Sequence, residues 1–148
     1  MLHVVHHPDY VVPDATTGSF SFDKYALVME ALRDSGVAFT THAPEPMPRR
    51  WIEWVHDPDY VAQVLAAAVP PAMERRIGFA ITPAAARRAA LVPGGTWLAA
   101  RLATEHGYAA NMAGGSHHAL RDGGAGYCVF NDLAITARRW IAERPEAH

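Results

Sequence analysis

Three short runs of apolar and β-branched residues lie between longer segments of helical pattern, and they predict the strands of the protein. The runs are residues 2–6 (LHVVH), 37–42 (VAFTTH) and 108–112 (YAANM). Each has the length of a strand and leads into a segment rich in proline, glycine or polar residues. We therefore expect three strands, at the start of the chain, near residue 40 and near residue 110.

Apolar residues at helical spacing fill most of the chain between these runs. In residues 22–34, the apolar side chains Tyr25, Val28, Met29 and Leu32 recur every three or four positions, as on one face of a helix. The other predicted helices span residues 51–69, 83–92, 97–105 and 132–143.

Capping residues and prolines mark where these helices begin and end. Asp57-Pro58 and Thr82-Pro83 each combine a capping side chain with a proline at the first helical position, where no amide donor is missed. The first pair restarts the helical pattern inside residues 51–69. The PGGT stretch at residues 93–96 predicts a break between two helices, because proline and glycine are unfavourable inside a helix.

The order of strands and helices predicts an α/β fold. A strand that follows another after an intervening helix pairs with it in parallel, so we expect a parallel sheet with flanking helices and the first strand in the middle. Ligand sites of such sheets lie beyond the carboxyl ends of the strands. The loops after the first and third strands are therefore expected at the same edge of the sheet.

Composition narrows the classes of protein to consider. The 148 residues, half of them hydrophobic and with a net charge of -2, suit one globular domain over residues 1–148. We expect no direct nucleic-acid partner because there is no basic run, and no membrane span because the apolar segments are short. The N-terminal residues do not resemble a secretory signal, and a single cysteine suits a reducing compartment. These features predict a cytoplasmic protein.

The segment of residues 114–132, GGSHHALRDGGAGYCVFND, carries the candidate chemistry. His117 and His118 lie between two glycine clusters, which allow the backbone to turn both imidazoles toward one cavity. Histidine can act as a general base and then a general acid, and it is also a common metal ligand. For a bare pair of histidines in an arbitrary loop, side chains that merely bond to backbone groups would be the favoured interpretation.

The wider pattern decides between these interpretations. The string GG-x-HHA, a glycine-rich turn and GYC-x-x-ND together resemble the tandem-histidine segment of the zinc-dependent histone deacetylase superfamily, with bacterial class IV-like members most similar. Further strings fall in that family's order: HHPDYV at residues 6–11, FDKY at 22–25, VHDPDYV at 55–61, RRIGF at 75–79 and PGGT at 93–96. The resemblance thus covers the whole chain.

The resemblance implies an arginase/deacetylase-like fold and a mechanism. In the family, zinc held by two aspartates and a histidine polarises an acyl-amide carbonyl and its bound water. By position, His118 would be the general base and then the acid, and His117 would stabilise charge in the transition state. The carbonyl of Gly126 would accept the substrate amide N–H, and Tyr127 would form a wall of the acyl channel. The implied substrates are acylated lysine side chains or acylated amines such as polyamines.

The chain departs from the family pattern in ways that bear on function. Ser19 and Ser21 stand where the family has histidine and proline, Ala80 replaces a usual proline, and Pro93 precedes the GGT string. The family's metal ligands come after the helix that here ends near Glu143. We therefore expect this chain to contain the first three strands of the sheet, no metal ligand of its own, and no activity alone.

Other readings stay open from the residues themselves. Two further clusters, His6-His7 with Asp9 and His56-Asp57 with Asp59, are expected to be solvated loop or helix-start residues, with Asp57 as a cap. The chain could instead be a non-catalytic binding or assembly module that self-associates through an exposed sheet edge. A hydrolase using Cys128 as nucleophile with His118 is a weaker alternative, because a buried small hydrophobe is the expected role of that cysteine.

Overall fold

The computed structural model of the chain describes residues 1–13 and 20–144. Ser19, one of the departures from the family pattern, lies outside the described residues. The elements in chain order are β1 (Leu2–Val5), a 3-10 turn (Pro8–Tyr10), α1 (Lys24–Asp34), β2 (Phe39–His42), α2 (Arg49–Glu53), α3 (Pro58–Leu65), α4 (Pro71–Ile77), α5 (Pro83–His106), β3 (Ala110–Asn111) and α6 (Asp132–Glu143).

The three strands form one parallel sheet in the order β2-β1-β3. Leu2 pairs with Phe39 at one end of β1, and Val5 pairs with Asn111 of β3 at the other. The predicted α/β fold, with parallel strands and the first strand in the middle, is confirmed. The loops after β1 and β3 consequently leave the same, carboxyl edge of the sheet. The two outer strands are β2 and β3, and self-association through a sheet edge stays a prediction.

Most helix limits follow the local signals in the sequence. Asp57 and Thr82 accept hydrogen bonds from the backbone amides of Asp59 and Ala85, so both predicted caps are confirmed. The helix over residues 132–143 is also confirmed. Helix α1 begins at Lys24 rather than at residue 22, although the Phe22 side chain is buried in the core. Helix α4, which ends at a left-handed glycine, was not predicted.

The predicted helix break at residues 93–96 is wrong, because α5 runs without interruption from Pro83 to His106. Close packing explains the glycines. A Cβ atom on Gly94 would lie 1.9 Å from the carbonyl oxygen of Glu45, and one on Gly95 would lie 2.1 Å from the Tyr10 hydroxyl. Only glycine permits this approach, so tertiary packing overrides the low helix propensity of the string.

Backbone groups near Pro93 find partners outside the helix. The carbonyl of Ala90 accepts the Met47 amide at 2.9 Å, and the carbonyl of Val92 accepts the Asn111 side-chain amide at 3.0 Å. Such bonds tie the helix just before Pro93 to neighbouring segments. Helix α5 can therefore carry a proline at a fully buried position and still pass through the centre of the molecule.

The main hydrophobic core lies around α5 and is built by side chains from the helices and the loops between them. Its largest fully buried members include Tyr10, Ile52, Ile77 and Ile135. A smaller cluster joins Val5 of β1 to α5 and holds the helix against the sheet. None of the helices in residues 1–13 and 20–144 has the length and apolarity needed to cross a membrane.

We predict that Gly94→Ala destabilises the protein, although alanine stabilises an ordinary helix interior by about 1 kcal/mol relative to glycine. The added methyl group would overlap the Glu45 carbonyl, so we expect a loss of roughly 1–3 kcal/mol of unfolding free energy. Urea denaturation followed by circular dichroism measures it. Thr104→Ala, at an exposed position of the same helix, is the control and should change stability by less than about 0.5 kcal/mol. Equal stability of the two variants would contradict the packing argument.

Candidate active site

Asn111, the last residue of β3, ties the site loop to the middle of the fold. Its side-chain oxygen accepts a hydrogen bond from the Tyr10 hydroxyl at 2.8 Å. Its amide nitrogen donates to the carbonyl of Val92 and to the hydroxyl of Thr96, each at 3.0 Å. The loops after β1 and β3 are thereby joined at the carboxyl edge of the sheet, with α5 beneath them.

Asp132, the first residue of α6, holds the glycine-rich part of the loop. Its carboxylate is fully buried and accepts a hydrogen bond from the Thr96 hydroxyl. It also accepts the backbone amides of Gly115 and Ser116 at 2.9 and 2.8 Å. Burial raises the pKa of Asp132, and these hydrogen bonds counteract part of the rise. The carboxylate thus fixes the backbone immediately before the two histidines.

His117 and His118 lie together at the surface end of this loop. Their rings stack with centroids 4.4 Å apart and planes inclined by 28°, and both side chains are exposed. Gly126 lies against His118, since a Cβ atom on Gly126 would come within 3.4 Å of the imidazole. The structure therefore brings three of the four predicted site residues together, with neither ring in the core. Their chemical roles stay predictions.

Tyr127, the fourth predicted site residue, lies beside them in a strained turn. Gly126 and Tyr127 have φ angles of 55° and 65°. The turn is held by the Gly126 amide, which donates to the Arg76 carbonyl at 3.2 Å, and by the Tyr127 amide, which donates to the Ile77 carbonyl at 2.6 Å. The tyrosine ring packs against the Cα of Gly78, where a side chain has no room. The end of α4 therefore positions the turn.

A cavity of about 360 Å³ opens between this turn, the glycine loop and α1. Among its lining residues are Phe20, Lys24, Tyr25, Gly115, Gly126 and Tyr127. The phenylalanine and Tyr127 rings stack at 4.9 Å, and the Lys24 ammonium lies 4.0 Å from the centroid of the Phe20 ring. Burial and the nearby Arg88 lower the pKa of Lys24. The predicted channel wall is thus part of an aromatic pocket with one cationic group.

Arg88, which sequence reasoning did not single out, braces this region from α5. Its guanidinium is buried and donates to the carbonyl of Tyr10 at 2.9 Å and to the hydroxyl of Tyr25 at 2.7 Å. The ring of Phe22 lies 5.1 Å from the guanidinium carbon. A buried cation among aromatic rings and oxygen acceptors links α1 to the loop after β1. The local sequence does not indicate that Arg88 is buried while its neighbour Arg87 is exposed.

In the two secondary clusters, His56 is the residue that differs from expectation. His56 is fully buried, so its predicted place on a solvated helix start is wrong. The ring bonds to the carbonyl of Leu120 and to the amide of Asn131, and these contacts take it out of water. In the other cluster, His7 accepts the Asp9 amide at 3.0 Å, and Asp9 pairs with Arg87 at 2.6 Å.

Cys128 is buried, and its thiol is engaged with a backbone carbonyl. It is a free thiol with 1% of its surface exposed, and the sulfur donates to the carbonyl of Phe130 at 3.3 Å. Burial raises the pKa of the Cys128 thiol, which disfavours the nucleophilic thiolate. The expected role as a small buried hydrophobe is confirmed, and the cysteine-hydrolase alternative is disfavoured.

A family model, the histone deacetylase domain, matches residues 19–146. The chain belongs to the histone deacetylase family. The match extends over the loop that carries His117 and His118 and over the aromatic pocket, so it includes all four predicted site residues.

Relatives of known sequence agree with this assignment. An uncharacterized protein of Picosynechococcus sp. (strain ATCC 27264 / PCC 7002 / PR-6) is 41% identical in an alignment of 147 residues that covers 95% of this chain and 49% of that protein. Histone deacetylase 2 of Arabidopsis thaliana is 52% identical in an alignment of 42 residues that covers 28% of this chain and 11% of that protein. The acetoin utilization protein AcuC of Bacillus subtilis (strain 168) is 36% identical in an alignment of 91 residues that covers 55% of this chain and 24% of that protein.

A solved structure supports the fold. The crystal structure of the HDA15 HD domain superposes with a TM-score of 0.71 and covers 96% of this chain, at 16% sequence identity. This chain covers 43% of that domain. The arginase/deacetylase-like architecture is therefore confirmed. The chain spans about half the length of the Picosynechococcus relative and a smaller share of the other two relatives.

The metal that the family resemblance implies does not fit the described residues. A catalytic zinc site needs three protein ligands. Within residues 1–13 and 20–144, no group of three or more His, Cys, Asp or Glu side chains is arranged to hold a metal ion. We therefore derive no chemical step through a metal from these residues.

We predict that Asp132→Asn destabilises the protein by roughly 2–4 kcal/mol, since hydrogen bonds to a buried charge are worth about 1.5–3 kcal/mol each. An asparagine offers one acceptor oxygen and points an amide toward the remaining donors. Urea denaturation measures the loss. Asp122→Asn, an exposed aspartate in the same loop region, serves as the control and should be close to neutral. If both variants unfold at the same urea concentration, Asp132 does not organise the loop.

Proposed function

We propose that this chain supplies the acid/base half of a deacylase that hydrolyses acylated lysine side chains or acylated amines. The observation that carries the proposal is the stacked pair His117–His118, exposed on an anchored loop next to Gly126. Family membership supports an amide-hydrolysing activity of the deacetylase kind. The proposal assigns this activity to the protein of which these residues form a part.

The two histidines have different proposed roles. His118 takes a proton from the attacking water and later gives it to the leaving amine, whereas His117 stabilises the negative charge that develops on the carbonyl oxygen. Because the rings are stacked, both can face one reacting group from the same side. General acid–base catalysis typically contributes about 10²–10⁴-fold to the rate.

Gly126 and Tyr127 are proposed to bind the acyl-amine substrate. The Gly126 carbonyl accepts the amide N–H of the scissile bond, and Tyr127 forms an aromatic wall along the acyl chain. The positive φ angles of both residues and their bonds to the end of α4 support a preformed turn, which lowers the entropy cost of binding. Phe20, stacked on Tyr127, extends this wall.

Zinc enters the proposal through the family resemblance alone. We propose that its ligands are residues other than the described ones of this chain, in keeping with the chain's coverage of 49% of the Picosynechococcus relative. The catalytic assembly would then form when those ligands are placed opposite the histidine loop. Without those zinc ligands, the protein would be a non-catalytic binding or assembly module. The experiment below distinguishes this alternative from a deacylase.

We predict that the 148-residue chain alone hydrolyses an acetyl-lysine peptide no faster than background, with or without zinc. Histidine without a metal cannot supply the lowered water pKa of about 7 that zinc provides. Co-purification with a polypeptide that carries the part of the Picosynechococcus relative outside the match should restore chelator-sensitive turnover. In that assembly His118→Ala should lower kcat by about 10²–10⁴-fold.

The control for this experiment is His106→Ala, which removes an exposed histidine at the far end of α5. It should leave turnover unchanged. Chelator-sensitive turnover by the chain alone that is lost in His118→Ala would show that the proposed division of the site is wrong. An assembly that forms, binds zinc and yet has no turnover would reject the deacylase function and favour the binding module.

A further inference from the structure

His56 is the residue just before Asp57, the cap of α3. Its side chain lies beneath the loop that carries His117 and His118. Its ring is fully buried and packs against the rings of Tyr60 and Phe130, with centroid distances of 6.0 and 5.3 Å. One ring nitrogen, Nδ1, lies 2.8 Å from the carbonyl oxygen of Leu120. The other, Nε2, lies 3.0 Å from the backbone nitrogen of Asn131. Both nitrogens therefore have backbone partners.

The two partners fix the tautomer of this ring. A backbone carbonyl can only accept and a backbone amide can only donate. The Nδ1 of His56 must therefore carry the hydrogen that is given to Leu120, and Nε2 must be the bare acceptor for Asn131. A doubly protonated ring would place an N–H opposite the Asn131 N–H, so this geometry requires the neutral form.

The two bonds join both ends of the segment that carries the site. Leu120 follows the tandem histidines by two residues, and Asn131 precedes Asp132 at the start of α6. The side chain of Asn131 also donates to the carbonyl of His117 at 3.3 Å. His56 thus bonds directly to the segment after the histidines and, through Asn131, reaches the backbone of His117 itself.

We propose that His56 is a positioning residue that sets the tandem-histidine loop by clamping Leu120 and Asn131 with its neutral Nδ1–H tautomer. The catalytic meaning of this clamp rests on the proposed deacylase function, whereas the clamp itself does not. No comparison or sequence motif assigns a role to this ring. It acts through the loop, since its nitrogens are occupied by backbone groups and its surface is closed to substrate.

The surroundings of His56 suit a neutral ring. Burial lowers the pKa of His56, and the bonds to the Leu120 and Arg121 backbone oppose only part of this effect. The titratable side chain that faces the ring is the phenol of Tyr60, which donates to the Val129 carbonyl, and burial raises the pKa of this phenol. The Asp57 carboxylate is engaged with the Asp59 amide, and Arg121 has its side chain at the surface.

The free energy of unfolding should decrease as the pH falls, because His56 takes up a proton more readily in the unfolded chain. The unfolded chain binds a proton at His56 near the ordinary pKa of 6.5, whereas the folded chain does so only at lower pH. The unfolded state therefore takes up more protons as pH falls below about 6.5. The contribution of the neutral ring is fully present above that pH and is lost as the pH falls through the lowered pKa of the folded protein.

The first test is spectroscopic and needs no activity. Long-range ¹H–¹⁵N spectra of the ¹⁵N-histidine-labelled chain report which ring nitrogen carries hydrogen, and His56→Gln assigns the signal. We expect a single neutral Nδ1–H species for His56 that persists below pH 6.5, where exposed histidines protonate. The Nε2–H tautomer, or protonation together with the exposed histidines, would overturn the proposal.

The second test removes one bond at a time. In His56→Asn the amide group lies near the position of Nδ1 and keeps a donor for Leu120, and in His56→Gln it lies near Nε2 and keeps an acceptor for Asn131. Hydrogen exchange of the Asn131 amide should be roughly 5–30-fold faster in His56→Asn than in His56→Gln, as expected for a bond worth about 1–2 kcal/mol. Equal exchange rates in the two variants would contradict the clamp.

Tyr60→Phe is the matched control for lost stability. It removes a buried hydrogen bond to Val129 in the same cluster but leaves both bonds of His56 in place. We expect exchange of the Gly115 and Ser116 amides, which Asp132 holds, to stay near wild type in this control and to rise in the His56 variants. A rise of the same size in Tyr60→Phe would mean that His56 acts through stability alone. If the His56 variants do not fold, the tautomer of the wild-type ring still decides the proposal.

The third test connects the clamp to catalysis in the reconstituted assembly. His56→Asn should lower kcat with little change in KM, because the end of α4 holds the proposed substrate wall at Tyr127 independently while the histidines are displaced. Tyr60→Phe should keep both constants near wild type. If wild-type assembly shows no turnover, the deacylase proposal fails and the spectroscopic result stands independently. If wild type is active and both variants lose kcat equally, the positioning role is rejected while the function is kept.

Discussion

The buried carboxylate of Asp132 is the interaction on which the rest of the site depends. The carboxylate accepts hydrogen bonds from the Thr96 hydroxyl of α5 and from the Gly115 and Ser116 amides of the loop after β3. It lies in the first turn of α6. A buried charge is tolerated only where enough donors compensate its lost hydration. The helix N-terminus adds a favourable dipole. One side chain therefore fixes the relative position of two helices and the loop, and any shift in one of them exposes an unsatisfied charge.

The buried side chains near this carboxylate are held by hydrogen bonds between uncharged groups. His56, Tyr60 and Cys128 all face backbone carbonyls, and burial favours the uncharged form of each. Neutral groups in a dry interior form directional bonds without the desolvation cost of further charges. The cluster can therefore define the path of residues 120–131 while the charged groups stay at the surface or, like Asp132 and Arg88, are surrounded by partners.

Local signals predicted the parts of the fold whose causes are local. Strand runs, the caps at Asp57 and Thr82, and the helix over residues 132–143 each depend on neighbours within a few positions. The continuous α5 could not be predicted from the PGGT string, because the reason lies in Glu45 and Tyr10, far away in sequence.

The site shows the same division between local and distant causes. The paired histidines and the glycine turn stand out in the sequence, whereas the burial of His56 is decided by contacts with Leu120 and Asn131, more than sixty residues away. Asp132 was visible as the last residue of the GYC-x-x-ND string, but its three donors were not. Sequence reasoning thus found the exposed histidines and missed the contacts that hold their loop in place.

The candidate histidines and the residues that support their loop are consequently in different environments. The rings of His117 and His118 are exposed and contribute little packing, while the backbone that carries them is held by Asp132, Asn131 and His56. Under the proposed function, positioning and proton transfer would therefore be placed on different residues with different energetic constraints. Loop position is decided in the interior, where each bond is costly to lose. Because the exposed rings make few packing contacts, a proton could be gained or lost there without breaking a buried contact, which is what the proposed alternation between base and acid requires.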